Sequence, residues 1–124
     1  MKLFTLAEAN KLIPDVSTNL NTIKKLYAEI DGYRDAARAA AVASEFGGGM
    51  KGGAKYVKAL YEIGKITTEL ADLGIQLKDY TRGLIDFPSM RDGRVVLLCW
   101  QLGEDEIIEW WHEIEAGFSG RQPL

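Results

Sequence analysis

The chain has 124 residues, 47% hydrophobic and 27% charged, with a net charge of -3; this length suits one domain whose core needs no disulfide or metal staple, and the mildly acidic balance leaves no basic footprint for nucleic acid. The longest apolar run, Val95-Val96-Leu97-Leu98-Cys99-Trp100, is far short of the roughly 20 residues that cross a bilayer, and no basic-then-apolar signal pattern opens the sequence. The expectations are a cytoplasmic location with neither a membrane nor a nucleic-acid partner. Cys99, the single cysteine, has no intramolecular disulfide partner, which fits a reducing compartment, and its apolar setting reads as a small buried hydrophobe.

In chain order, Thr5-Leu6-Ala7-Glu8 matches a capping box, in which the Thr hydroxyl and Glu carboxylate satisfy free backbone NH groups, so a helix should begin at Leu6. Pro14 withholds one helical hydrogen bond and predicts a kink or a new first turn, with Asp15 near its positive end. Val16, Leu20, Ile23, Tyr27, Ile30, Arg34 and Ala37 then recur by steps of four and three, flanked by Leu26 and Tyr33, a seam of coiled-coil type. Gly32 within it suggests close packing or a bend.

Five glycines among residues 47–53 predict a flexible loop. A second seam follows, formed by Tyr56, Leu60, Ile63, Thr67, Leu70, Gly74 and Leu77, with Val57, Ile66 and Leu73 beside it. Joined by one loop, the two helices should pack as an antiparallel hairpin over residues 1–79, with one flank of each stripe still needing cover.

Residues 80–124 change character. Leu84–Pro88 and Val95–Leu102 read as strands joined by the Asp92-Gly93 hairpin signal. The stretch 106–115 fits either period: Ile107, Ile108, Trp111 and Ile114 share a helix face, whereas Ile108, Trp110 and His112 share a strand face. A third antiparallel strand is preferred, followed by an irregular Gly- and Pro-containing tail. The expected fold class is α+β, mainly α: a long antiparallel helical hairpin packed with a small antiparallel β-sheet, in a single domain.

Asp86-Phe87-Pro88, Asp92-Gly93-Arg94, Leu98-Cys99-Trp100, Leu102-Gly103-Glu104, Trp111-His112 and Gly117-Phe118-Ser119-Gly120-Arg121-Gln122-Pro123 together resemble the bacterial domain of unknown function 2203. The resemblance spans most of the chain, and it implies no activity, cofactor or site.

The residues themselves offer three kinds of chemistry. Asp86, Glu104 and His112, with Glu109 and Glu113 nearby and Cys99 as a lesser member, form a metal or acid-base candidate, because imidazole and carboxylate suit a divalent transition metal. The plainer reading, a hydrogen-bonded His112 beside two packing tryptophans, is preferred. Trp100, Trp111 and Arg121, with Trp110 and Phe118, could wall a pocket for an anion or carboxylate, although core packing explains them more simply. The glycine loop with Lys51 or Lys55 is a poor phosphate cradle, since no strand precedes it and no Gly-Lys-Ser/Thr closes it.

Nucleophilic catalysis lacks support: Ser17, Ser44, Ser89 and Ser119 have no Gly-x-Ser-x-Gly setting, and the apolar run should raise the Cys99 pKa. The leading expectation is an interaction or structural protein forming a homo-oligomer, in particular a dimer, that covers the helical seams. Charged substitution at Leu20, Ile23, Leu60 or Ile63 should then abolish association. The alternative is a small metal- or ligand-binding protein or enzyme centred on His112 and Glu104.

Overall fold

A computed structural model of the chain describes residues 1–43 and 53–124; most of the expected glycine loop, residues 47–52, and the side chain of Ala37 lie outside the described residues. Helix α1 runs over Leu6–Ala43 and α2 over Gly53–Leu73, followed by strands β1 (Gln76–Asp79), β2 (Leu84–Arg91), β3 (Arg94–Gln101), β4 (Trp110–His112) and β5 (Gln122–Pro123). The strands form an antiparallel sheet in chain order, β1-β2-β3-β4-β5. The architecture is α+β, with the helical hairpin laid on one face of the sheet.

The capping box closes as expected: the Glu8 amide donates to Thr5 Oγ1 at 3.1 Å, and the Thr5 amide donates to Glu8 Oε1 at 3.0 Å. Pro14 starts no new helix; α1 is continuous through it. Among the described residues nothing lies within 4 Å of a Cβ built on Gly32, so close packing among them does not account for that glycine.

α2 ends four residues before the second seam does. Gly74 takes φ +94°, the Ile75 amide reaches the Leu70 carbonyl, and the Gly74 amide reaches that of Ala71. This is a Schellman stop, which needs a residue tolerant of left-handed backbone. The chain then turns into β1, so Leu77 belongs to the sheet and the helical hairpin ends at Leu73 rather than at 79. The four-three spacing ran on because Leu77 packs on the same core from a strand.

The core lies between the hairpin and one sheet face. Val16, Leu20 and Ile23 of α1 and Ile66 and Leu70 of α2 meet Ile85, Phe87, Val96, Leu98, Trp100 and Trp111. Farther out, Ile30 packs with Ala59 and Ile63. The Asp92-Gly93 turn has both φ values positive, 52° and 76°, the backbone of a type I′ hairpin, and it sets the β2–β3 register with Asp86 opposite Cys99.

Strand alternation assigns the second sheet face: Leu84, Asp86 and Pro88 of β2, Leu97, Cys99 and Gln101 of β3, and Trp110 and His112 of β4. In a two-layer fold this face would meet water, yet Leu84, Asp86, Pro88, Leu97, Cys99 and His112 are all buried. The segment after β4 returns across it, placing Phe118 against Arg82 and Arg121 over Trp110. The tail therefore forms a thin third layer, which encloses polar side chains rather than a second apolar core.

Candidate metal centre

Each residue enclosed there is placed by its own strand. Asp86 and Cys99 are direct cross-strand partners. His112 stands on β4 opposite Leu97, two positions along β3 from Cys99 on the same face, from which its ring reaches diagonally toward Asp86. Their potential ligand atoms all lie within 4.8 Å of one another, and all three residues are at most 2% exposed.

The hydrogen bonds around His112 define its ring. Nδ1 lies 2.7 Å from the Glu113 carbonyl oxygen, which can only accept, so Nδ1 carries a proton and donates it. The Arg94 guanidinium grips the Glu113 carboxylate through paired contacts, holds that carboxyl below its ordinary range, and anchors the residue whose carbonyl orients the ring. Nε2 faces Asp86 Oδ1 at 3.1 Å. A neutral ring with its proton on Nδ1 would bring a lone pair against a carboxylate, so a positive charge must lie between them, either a proton or a metal ion.

This arrangement does not suit nucleophilic catalysis. A Cys-His-Asp relay needs one ring nitrogen for the thiol and the other for the carboxylate, whereas here a backbone carbonyl takes Nδ1. Burial, reinforced by the Asp86 carboxylate, pushes the Cys99 thiol up to about 12. In metal-free protein at pH 8, dithiobis(nitrobenzoate) should therefore react with Cys99 only as fast as the chain unfolds; an immediate reaction in native buffer would contradict the enclosed thiol. Because the folded pKa is raised, the associated stability is fully present below the ordinary 9.0 and is lost as pH rises from there to about 12.

The geometry is close to that of a metal site. Zinc bonds of about 2.0–2.3 Å set tetrahedral ligand atoms roughly 3.3–3.8 Å apart, so the cluster needs to tighten by only about 1 Å at its widest. The donor set of one thiolate, one imidazole and one carboxylate fits zinc or another first-row divalent ion. The His112 Nδ1 to carbonyl contact is the outer-shell bond that a ligating histidine ordinarily makes.

Among the residues expected to form a metal site, Asp86 and His112 come together, but Glu104 does not join their cluster. Its Oε1 accepts the Gln101 amide at 2.7 Å and its Oε2 accepts Arg121 at 2.6 Å. Cys99 takes the third place; the signal for it was strand alternation, which puts Cys99 opposite Asp86 once the Asp-Gly turn fixes the register. Of the residues expected to wall a pocket, Trp110, Phe118 and Arg121 line one shallow depression, but Trp100 and Trp111 do not join them. Trp100 and Trp111 face the helices, with the Trp100 indole donating to the Asp105 carbonyl, while Arg121 lies on the other face between Trp110 and Phe118.

A family model described as "Uncharacterized conserved protein (DUF2203)" matches residues 2–124, and the chain belongs to that family. None of the curated proteins and none of the solved structures compared matches it.

Proposed function

We propose that the protein binds one divalent transition metal ion, zinc in the first instance, through the Asp86 carboxylate, the Cys99 thiolate and His112 Nε2. The observation that carries this reading is the convergence of these three groups in a buried layer, with the imidazole already fixed so that Nε2 faces Asp86. A buried carboxylate facing a ring nitrogen is costly to enclose without a positive charge between them. A bound cation supplies the missing charge, and it turns a thiol that resists ionisation into a thiolate ligand.

The test is elemental analysis together with native mass spectrometry of protein produced in zinc-supplemented medium and purified without chelators. One zinc per chain is expected, with at least a tenfold loss of occupancy in Cys99→Ser and in His112→Gln. Metal-free protein that takes up no zinc, or variants that retain it, would overturn the reading.

A second reading, self-association, draws on the exposed apolar residues Val57, Leu60 and Tyr61 of α2, which are 63%, 46% and 69% exposed. They lie within about one turn of the helix, on a flank that nothing covers among the described residues. The same native spectrum reports subunit count, and a monomer at micromolar concentration would count against it.

A further inference from the structure

Three protein donors leave a tetrahedral ion one ligand short, and closed structural zinc sites ordinarily supply all four. Two buried side-chain polar atoms lack a hydrogen-bond partner among the described residues, Gln101 Oε1 and Arg121 Nε. Both stand on the same side of the sheet as the metal cluster. Gln101 is the next residue after Cys99 on the same face of β3, and Arg121 lies over Trp110, the cross-strand partner of Cys99.

The Arg121 side chain is only 10% exposed. Its faces are covered by Trp110 and Phe118, with ring centroids at 4.9 and 4.7 Å, and one edge is bonded to Glu104. The Nε–H is left over, a buried donor, while Gln101 Oε1 is a buried acceptor. Burying such groups unpaired is unfavourable, and a single hydroxyl-type oxygen, which donates once and accepts once, has the chemistry to serve both. A shallow pocket of about 270 Å³ lined by Glu104, Trp110, Phe118 and Arg121 lies on this side of the protein.

Resting on the metal reading above, we propose that the centre is open: its fourth position holds an exchangeable oxygen ligand, water at rest, which donates to Gln101 Oε1 and accepts from Arg121 Nε–H, and which a small anion entering past Trp110 and Phe118 displaces. Arg121 supplies the charge that draws the anion, and Gln101 holds the water. The class of molecule such a centre takes is a small anion with one metal-binding donor atom, not a macromolecule.

The experiment uses the full chain loaded with cobalt(II), whose visible spectrum reports the coordination shell, titrated with sodium azide as the small anion. The expected result is a saturable spectral change. The half-saturating azide concentration should rise about tenfold in Arg121→Gln, the size of one charge-assisted hydrogen bond, and fall several-fold in Gln101→Leu, because the competing water is held less firmly. If Arg121→Gln fails to fold, Gln101→Leu still decides the matter, since it leaves the Arg121–Glu104 contact in place. A cobalt spectrum indifferent to azide would mean that the protein closes the fourth position, overturning this proposal while leaving the metal site standing. Failure to bind cobalt at all would overturn both.

Discussion

On the zinc reading proposed above, stripping the metal from zinc-loaded protein should lower its melting temperature by about 12–20 °C. The figure follows from linkage: with free zinc about a thousandfold above the dissociation constant, binding contributes about 4 kcal/mol to the folded state. One kcal/mol corresponds to roughly 3–5 °C for a domain of this size. The informative control is Asp86→Asn. It keeps the shape of the buried side chain, removes its charge, and offers His112 Nε2 an amide hydrogen in place of a carboxylate. The variant should melt within a few degrees of metal-free wild type and gain nothing from added zinc. A wild-type protein whose melting temperature is indifferent to chelator and zinc would remove the support for a metal-linked fold, and the buried Asp86–His112 pair would then stand as a proton-bridged contact.

Much of the architecture was legible because local chemistry and global fold agree. Thr5 and Glu8 announce the start of α1, Asp92-Gly93 favours a turn with two positive φ values, and the alternation along β3 follows from that turn. The end of α2 was misread because Leu77 keeps the helical spacing while lying in β1, and only the conformation of Gly74 marks the break. β1 and β5 are four and two residues long, too short to show a period. For the site, residue types pointed to Asp86 and His112, but Glu104 was as plausible a carboxylate as any until Arg121 was seen to claim it. Cys99 was read as a hydrophobe because the run Val95–Trp100 is apolar on both faces. That reading is correct for burial and silent about neighbours, since β3 lies between the helices and the tail, and what faces Cys99 is set by its pairing with Asp86, 13 positions before it, and with Trp110, 11 positions after it, which brings His112 alongside.

The structure also changes what charged substitutions on the helical seams report. Leu20→Asp should unfold the protein, whatever its oligomeric state. Leu20 is 1% exposed within a cluster that includes residues of both helices and the sheet. Replacing it loses a buried aliphatic side chain, about 2–5 kcal/mol, and leaves an unpaired carboxylate in an apolar interior at further cost. Set against a total stability that is as low as about 6 kcal/mol at the lower end for a chain of this length, such a loss leaves little or no margin, and circular dichroism at 37 °C should show a largely melted chain. Ile23 and Ile63, 0% and 6% exposed, carry the same consequence, so none of these three tests association. Leu60, at 46% exposed, is different: Leu60→Asp should change the stability of the isolated chain by no more than about 0.5 kcal/mol and leave its spectrum intact. Any loss of self-association in Leu60→Asp then belongs to the exposed flank of α2 itself. If Leu60→Asp instead melts together with Leu20→Asp, that flank is held inside the fold by contacts beyond the described residues, and the case for a partner on α2 falls.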